Sequence, residues 1–268
     1  MLRLLYHPPF RTSFSLALDD ESLAESLKIQ YGEDIEKAAV HAASEDILLK
    51  KSADGYCLKF RGEEVFTKAP LAALDRLFFE NTEFDKKILA LHGAAVEYKG
   101  NAYLFLAPTT GGKTTLTAFL TSKGFGYLTD DCILLDRETF EIYPSPRPIH
   151  LRRGGLEVLQ SLSVCPPCRM VSMPPNERYV YSPKNVADSL VPLKDVFFLA
   201  RNAIDRNEAE RLPSNGRIAE LLNSPITPYA VTGDYLRLLV KLSGYGCRRL
   251  HYSDMNFVKT LIEREAEI

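Results

Sequence analysis

One short run of residues restricts the fold of this chain more than any other feature. Positions 107–115 read Ala-Pro-Thr-Thr-Gly-Gly-Lys-Thr-Thr, between the apolar run 101–106 and a helical pattern over 113–120. A buried strand, a glycine-containing loop and a helix in this order form a phosphate-binding loop of the Walker A type. The run therefore predicts an α/β fold that binds the phosphates of a nucleotide at the N-terminus of a helix.

Each part of the loop has a chemical task. Gly111 and Gly112 let backbone N–H groups turn towards the phosphates, and the first turn of the helix adds the positive end of its dipole. Lys113 supplies positive charge, and Thr114 supplies a hydroxyl for Mg²⁺. Ala107 stands where the motif usually has its first glycine, and it is small enough for the turn. The expected nucleotide-binding residues are Thr109, Thr110, Gly111, Gly112, Lys113, Thr114 and Thr115.

Composition argues against several other classes of protein. The 268 residues include 33 Lys and Arg against 35 Asp and Glu, a net charge of −2, and no segment is densely basic. This balance argues against nucleic acid as the main partner. No apolar run approaches the length of a membrane span, and Pro8 and Pro9 interrupt the N-terminal apolar run before a signal-peptide core could form. We therefore expect a cytoplasmic protein without a membrane partner.

The five cysteines are an odd number, which does not suggest a disulfide framework in a chain of this length. Cys165 and Cys168 have the spacing of a metal or redox site, but a zinc ion needs two further ligands. Only distant candidates, His150 and His251, are available. A plain loop is the favoured interpretation, with a zinc or redox role as the alternative.

The pattern of apolar and turn residues changes near position 85. Before it, short strands and helices alternate, which predicts a small N-terminal α+β domain over residues 1–85. Residues 86–268 are expected to form a second domain that carries the phosphate loop. The predicted strands are 47–51, 56–60, 88–96, 101–106, 127–136, 196–200 and 249–252, and the predicted helices are 19–31, 70–79, 113–120, 217–222, 234–242 and 255–265. Residues 161–176, rich in proline and serine, are expected to form an irregular loop.

A pair of carboxylates follows the loop. Asp130 and Asp131 end or interrupt a predicted strand, and Asp131 stands 18 residues after Lys113. If that strand lies parallel and adjacent to the strand before the loop, both side chains lie beside the phosphates. One carboxylate can then hold Mg²⁺ while the other accepts the proton of an attacking hydroxyl. The alternative is the Walker B site of a simple ATPase, and the pair alone does not decide between the two.

His92 stands 21 residues before Lys113, on the neighbouring predicted strand. A lone histidine on an apolar strand is more often a core residue than a functional one. In order and spacing, however, His92, Lys113 and the Asp pair resemble the catalytic core of the HPr kinase/phosphorylase family and of its shorter relatives in bacterial gene clusters. The run 146–156 resembles that family's proline-rich approach to an Ile-Arg-Gly segment. The resemblance covers residues 88–200 and implies an α/β fold with a mixed sheet, a P-loop kinase core of the HPr kinase/PEP carboxykinase type.

The resemblance implies roles for the residues that match. Lys113 and the loop amides would bind the β- and γ-phosphates of ATP, and Thr114 would ligate Mg²⁺. Asp131 matches the family's proton acceptor, Asp130 matches its acidic neighbour near the metal, and His92 matches a histidine beside that acid.

A positive charge is also expected against the transferring phosphoryl group, whose oxygens carry negative charge. By the resemblance, Arg152 or Arg153 would supply it. Arg147 and Arg178 are further candidates, and a solvated surface position is the alternative for each arginine.

Three features depart from the family. Its metal-binding Glu, two residues before the arginine, has no acidic counterpart, since His150 and Leu151 stand at that offset. The N-terminal part is short. The C-terminal helix that docks the phosphocarrier protein is not identifiable, so HPr itself is not the expected acceptor.

Together these patterns predict an ATP-dependent, Mg²⁺-requiring kinase that phosphorylates a hydroxyl. The expected acceptor is a serine of a peptide or small protein, such as a ribosomally made precursor peptide. The alternatives are a kinase of free serine, a nucleotide-binding regulatory module, and an ATPase without a phosphorylated acceptor. Family members often form oligomers, so a homo-oligomer is a further expectation, although no periodicity identifies an interface.

Overall fold

The computed structural model describes residues 1–6, 13–37, 47–81, 87–173, 176–201, 206–224 and 233–267. The chain divides into two compact units. The first comprises Met1–Asp85, His150–Arg153 and Pro167–Ser182, and the second comprises Lys86–Ile149, Gly154–Pro166 and Pro183–Ile268. The sequence predicts domains over 1–85 and 86–268, which would place His150–Arg153 and Pro167–Ser182 in the second domain. This division into domains stays a prediction.

The described residues form seven α-helices and a set of mostly short strands. The helices are α1 (Glu21–Tyr31), α2 (Pro70–Asn81), α3 (Lys113–Ser122), α4 (Arg153–Ser161), α5 (Ser214–Leu222), α6 (Gly233–Leu242) and α7 (Met255–Glu265). The strands up to the phosphate loop are β1 (Leu2–Tyr6), β2 (Phe14–Leu18), β3 (Ile35–Lys37), β4 (Ile47–Ser52), β5 (Gly55–Phe60), β6 (Glu63–Thr67), β7 (Ile88–Leu91), β8 (Gly93–Tyr98) and β9 (Asn101–Leu106). The later strands are β10 (Gly126–Thr129), β11 (Ile133–Asp136), β12 (Glu141–Tyr143), β13 (Ile149–Leu151), β14 (Arg169–Met173), β15 (Asn176–Tyr181), β16 (Val191–Arg201), β17 (Glu208–Arg211) and β18 (Arg248–Tyr252).

The first unit contains a six-stranded sheet in the order β3-β1-β2-β4-β5-β6. Helix α1 begins where the sequence predicts, because the side chain of Asp20 accepts a hydrogen bond from the backbone N–H of Leu23 at 3.1 Å. It ends at Gly32, whose φ of 58° lies in the left-handed region that glycine adopts freely. The buried side chains of α1 and α2 pack with those of β1, β2, β4 and β5 into one apolar core.

The prediction of an irregular loop over 161–176 is wrong in part. Strands β13, β15 and β14 form a three-stranded sheet in that order, and β14 lies within the expected loop. Val171 of β14 and Val180 of β15 are buried in the core of the first unit, which accounts for strand formation despite the nearby prolines. Pro166 and Pro167 precede β14, so their missing N–H groups remove no hydrogen bond between β14 and β15.

The second unit is built on a nine-stranded mixed sheet, as the sequence predicts for this part of the chain. Its main path is β10-β8-β9-β16-β12-β11-β7, with β18 also paired to β16 and β17 paired to β18. The long strand β16 runs parallel to β9 and to β18. Buried residues of these strands and of helices α5 and α6 form one apolar cluster of this unit, and α3 and α7 contribute further buried side chains.

Two strands that the sequence predicts as continuous are each divided into two shorter strands in this unit. The predicted strand 88–96 breaks at His92 into β7 and β8, and the predicted strand 127–136 breaks at 130–132 into β10 and β11. The halves pair in different parts of the sheet, because β7 pairs with β11 whereas β8 pairs with β9 and β10. The expectation that β10 lies next to β9 is therefore wrong: β8 lies between them, antiparallel to both.

Among the described residues, the helices are too short or too polar for any of them to cross a membrane.

Candidate active site

The phosphate loop connects the end of β9 to the start of α3. Gly112, the residue before the helix, has a φ of 91°, and no side chain caps the first turn. Within the described part of the chain, the backbone N–H groups of this turn therefore have no side-chain acceptor, which suits an anion. A Cβ added to Gly111 would lie 2.5 Å from the Cβ of Ala107. Ala107 and Gly111 thus approach each other so closely that larger side chains at either position would open the loop.

The break at His92 lies beside the start of this loop. In the sheet, Gly93 pairs with Leu106, the last residue of β9, and Leu91 pairs with Ile133 of β11. A Cβ added to Gly93 would lie 2.8 Å from the backbone carbonyl oxygen of Phe105 and 2.6 Å from side-chain atoms of both Leu106 and Ile133. Only glycine fits at this crossing of strands. The backbone N–H of His92 itself donates to the carbonyl oxygen of Ser224 at 2.6 Å.

The Asp pair occupies the second break in the sheet. Thr129, the last residue of β10, pairs with Ala95 of β8, and its hydroxyl donates to the carbonyl oxygen of Cys132 at 2.8 Å. This bond closes a tight turn in which Asp131 has a φ of 72°, an uncommon conformation for a residue with a side chain. Asp130 is only 8% exposed, whereas Asp131 is exposed to solvent. The turn therefore separates the two carboxyl groups into a buried one and an accessible one.

A chain of hydrogen bonds connects the turn, His92 and the loop. Nδ1 of His92 lies 3.2 Å from the carbonyl oxygen of Asp131, and Nε2 lies 3.1 Å from Nζ of Lys113. Nζ also donates to the carbonyl oxygen of Ala107 at 2.8 Å. Because an ammonium group only donates, Nε2 must accept, so the proton of the neutral imidazole is assigned to Nδ1, which donates to Asp131.

The ionisable groups of the site perturb one another. Burial and the positive charge of Lys113 lower the pKa of His92, which favours the neutral ring. Burial also lowers the pKa of Lys113, against the opposing effect of the charges of Asp131 and Asp130. Burial and the charge of Asp131 raise the pKa of Asp130 well above its usual value. The surroundings of Asp130 therefore favour the neutral form of its carboxyl group.

The surroundings of Asp130 fit a magnesium ion that arrives with a nucleotide. The hydroxyl of Thr114 lies 3.4 Å from Oδ1 of Asp130, so a carboxylate and a hydroxyl face the same space. Mg²⁺ is commonly held by one or two carboxylates together with phosphates and water. In the part of the chain that the structure describes, no group of three or more His, Cys, Asp or Glu side chains could hold a metal by itself.

Arg152 and Arg153, the arginines that the resemblance favours, belong to the first compact unit, whereas the loop and the Asp pair belong to the second. Both are exposed, and Arg153 lies 3.4 Å from Glu177. Arg178 donates to the carbonyl oxygen of Glu177. Their role at the transferring phosphoryl group stays a prediction.

Arg147 lies in the second unit, close to the Asp pair. Its carbonyl oxygen accepts a hydrogen bond from the hydroxyl of Tyr127 at 2.7 Å, which holds the segment against β10. Burial raises the pKa of the Cys132 thiol to about 12, and the positive charge of Arg147 opposes this increase. Arg147 thus lies beside the strand that leads into the Asp turn.

Ser224 is a residue of the site that sequence reasoning missed. It follows α5 and is far from His92 along the chain. Its backbone carbonyl oxygen accepts the hydrogen bond from the N–H of His92. Since a backbone carbonyl leaves no signature in the sequence, no motif could have identified it.

Cys165 and Cys168 are free thiols, the first exposed and the second half-buried. Nε2 of His150, one of the distant zinc candidates, bonds to the carbonyl oxygen of Gln30 at 3.0 Å, and Nε2 of His251 lies 3.8 Å from Glu210. Both histidines thus have partners other than the cysteines.

Comparison with solved structures gives distant likenesses. The structure is similar to that of the Hpr(Ser) kinase/phosphatase from Coxiella burnetii, with a TM-score of 0.33 and 12% sequence identity over 65% of this chain and 88% of that one. No protein-family model and no curated protein matches the chain. Because the likeness is this weak, the functional interpretation depends on the geometry of the site alone.

Proposed function

We propose that the protein is an ATP-dependent kinase that transfers the γ-phosphate to a hydroxyl group. One observation supports this most strongly: the bonds from the carbonyl of Asp131 through His92 to Lys113 and Ala107 connect the Asp turn with the phosphate loop. Phosphoryl transfer requires a phosphate cradle, a cation site and a proton acceptor within one small volume. Together with Thr114 and Asp130, this group of residues contains candidates for all three.

In the proposed reaction, the loop amides and Lys113 hold the β- and γ-phosphates. Thr114 and Asp130 hold Mg²⁺, which would neutralise charge on the phosphates when bound. Asp131 accepts the proton of the attacking hydroxyl, since its carboxylate is exposed to an incoming acceptor. His92 is a positioning residue in this proposal, because it fixes the backbone of Asp131 and the ammonium group of Lys113 through one ring. Arg147 is the candidate for the charge that faces the transferred group.

The proposed acceptor is a serine in a peptide or small protein, and the proposed location of the reaction is the cytoplasm. The exposure of Asp131 supports a large acceptor, because an exposed proton acceptor is accessible to a hydroxyl group carried on a peptide.

The test is incubation of the chain with γ-labelled ATP, Mg²⁺ and a set of serine-containing peptides, followed by mass spectrometry of the peptides. The proposal predicts label on a serine hydroxyl of at least one peptide. Binding of ATP with release of free phosphate only would support an ATPase instead, and binding without turnover would support a regulatory module. The Lys113→Ala variant serves as the control, because it retains the Asp turn but lacks the charge on the phosphates.

A further inference from the structure

Tyr127 connects the Asp turn with the proline-rich segment 144–148, which carries Arg147. Tyr127 lies on β10 just before the turn, and its side chain is fully buried. Its hydroxyl donates to the carbonyl oxygen of Arg147 at 2.7 Å. This bond attaches one backbone atom of Arg147 to the strand that leads into the Asp turn.

The surroundings of the Tyr127 hydroxyl keep it protonated. Burial and the charges of Asp130 and Asp131 raise the pKa of Tyr127 well above its usual value, and the charge of Arg147 and a backbone hydrogen bond with Asp130 oppose this increase. The hydroxyl therefore keeps the proton that it donates to the carbonyl oxygen of Arg147. Through its two bonds, the hydroxyl connects the backbone of Asp130 with that of Arg147.

The proline-rich segment is stiff. Arg147 stands between Pro146 and Pro148, whose rings hold their own φ near about −65° and restrict the residue before each of them. The N–H of Ser145 donates to the carbonyl oxygen of Leu128 at 2.8 Å, and the N–H of Arg147 donates to that of Ser145 at 2.9 Å. A stiff segment that is attached to β10 at two points keeps the base of the Arg147 side chain in one place.

The backbone of Tyr127 is held independently of its hydroxyl. Its N–H donates to the carbonyl oxygen of Asn185 at 2.7 Å, and its carbonyl oxygen accepts from the N–H of Ala187 at 3.2 Å. In the sheet, Tyr127 also pairs with Val96 of β8. A phenylalanine at this position would therefore keep the strand and the buried ring, and it would lack only the bonds of the hydroxyl.

We propose that Tyr127 is a positioning residue for phosphate transfer, whose hydroxyl holds the proline-rich segment so that the side chain of Arg147 faces the transferred phosphoryl group. The inference rests on the proposed function, since it takes Arg147 to be the positive charge at that group. A guanidinium contributes most to transfer when it is already in place before charge develops on the phosphoryl oxygens. The bond from Tyr127 would supply this preorganisation.

The experiment uses the full chain and two measurements. The first is phosphate transfer from ATP to a serine-containing peptide. The second is the ratio of the affinities for ADP with aluminium fluoride and for ADP alone, both with Mg²⁺, because aluminium fluoride stands in for the transferred phosphoryl group and needs no acceptor.

We expect Tyr127→Phe to lower both the transfer rate and this affinity ratio about tenfold, while the Kd for ADP changes less than about twofold. Tyr103→Phe is the matched control. Tyr103 is an equally buried tyrosine on β9, and its hydroxyl has no hydrogen-bond partner within the described part of the chain. This control should change neither measurement.

The Arg147→Ala variant separates positioning from a merely structural role, because it keeps the carbonyl oxygen that accepts from Tyr127. Tyr127→Phe should therefore shift the midpoint of urea denaturation equally in the wild type and in Arg147→Ala. In the Arg147→Ala background, however, it should lower transfer by less than about twofold, since the side chain that it positions is gone. A tenfold loss of transfer in both backgrounds would overturn the inference.

An equal affinity ratio in the wild type and in Tyr127→Phe would also overturn it. If Tyr127→Phe does not fold, the exposed Pro146→Gly loosens the same segment and should lower the ratio, and an unchanged ratio in Pro146→Gly contradicts the proposal. Transfer by the wild type together with an unchanged ratio in Tyr127→Phe removes the positioning role and not the kinase. A ratio that falls in Tyr127→Phe, without transfer to any peptide by the wild type, removes the kinase and not the positioning role.

Discussion

His92 shows how one neutral side chain can hold two parts of a site. Its ring donates to the backbone of the Asp turn and accepts from the lysine of the phosphate loop, so both bonds require the neutral form. The sequence predicted that His92, Lys113 and the Asp pair belong together, because their order and spacing are visible along the chain. It could not predict the direction of these bonds, since they depend on the breaks in two strands.

We predict that His92→Ala lowers the rate of phosphate transfer about 10- to 100-fold, because Lys113 and Asp131 lose their common support. The pKa of His92 in the folded protein lies below its usual value of 6.5. The neutral ring therefore contributes to stability and activity above pH 6.5, and this contribution is lost as the pH falls through the folded pKa. A rate profile over acid pH measures this. His92→Gln, which can offer an amide donor and acceptor, should recover part of the rate and lose the acid limb. An unchanged acid limb in His92→Gln would assign that limb to another group.

Asp130 gives a second prediction at the residue scale. The pKa of Asp130 is raised in the folded protein. The carboxyl group therefore stabilises the fold below pH 3.8, its usual pKa, and this stabilisation is lost as the pH rises through the folded pKa. Ionisation of the buried carboxyl group therefore costs stability. Asp130→Asn should stabilise the free protein by about 1–2 kcal/mol, the typical cost of an uncompensated buried polar group, and should abolish the stabilisation by Mg²⁺ with ATP.

Chemical denaturation at neutral pH, with and without Mg²⁺ and ATP, measures both effects. Asp136→Asn is the matched control, since the pKa of Asp136 is lowered by backbone N–H donors and that variant should lose stability. A loss of stability in Asp130→Asn equal to that of Asp136→Asn would show that the carboxylate is compensated within the protein.

At the scale of elements, the two breaks in the sheet assemble the site. Strands with continuous apolar residues were predicted over 88–96 and 127–136, and the periodicity there is that of buried strands. The pairing of Leu91 with Ile133 and of Gly93 with Leu106 is a long-range property, so the breaks at His92 and at the Asp turn were not visible as such. Local signals did suffice for α1 with its Asp20 cap, for α2 after Pro70 and for α3 after the loop.

Gly93 makes the assembly sensitive to a single methyl group. We predict that Gly93→Ala destabilises the protein by about 1–3 kcal/mol and lowers phosphate transfer, because a Cβ would meet Leu106 and Ile133 at 2.6 Å and displace His92. Gly154→Ala is the control: no atom lies within 4 Å of its added Cβ, and the residue lies in α4, so a gain of about 0.5–1 kcal/mol is expected. Thermal unfolding and the transfer assay measure the pair. Full activity in Gly93→Ala would show that the strand crossing tolerates displacement.

At the scale of the whole molecule, the chain consists of two units, each with its own core. The sequence indicated a change near position 85 but could not show that Pro167–Ser182 belongs to the first unit, because the two buried valines of that segment carry no local sign of their distant partners. The mixed sheet of the second unit was predicted by resemblance, and its order was not, since β8 lies between the two strands that were expected to be neighbours.

The core of the second unit also contains a buried ion-pair network that connects β16, β18 and α7. Arg248 contacts the carboxylate of Asp195 and donates to Glu265 at 2.8 Å, and burial raises the pKa of Asp195 to about 6 although Arg248 opposes this. We predict that Arg248→Met costs about 3–5 kcal/mol in urea denaturation, because Asp195 is then buried without its cation. The double variant Arg248→Met with Asp195→Asn should recover much of this loss. If the double variant recovers less than a few tenths of a kcal/mol of the free energy of unfolding, the loss in Arg248→Met comes mainly from the packing of Arg248 on Phe197.

The central claim is that Asp131 accepts the proton of the phosphorylated hydroxyl beside a phosphate held by Lys113. The most direct test compares phosphate transfer and ATP affinity in the wild type and in Asp131→Asn, which preserves the shape of the turn. We predict that transfer falls by about 10²- to 10⁴-fold while the Kd for ATP with Mg²⁺ changes only a few-fold. Transfer at the wild-type rate by Asp131→Asn would contradict the account.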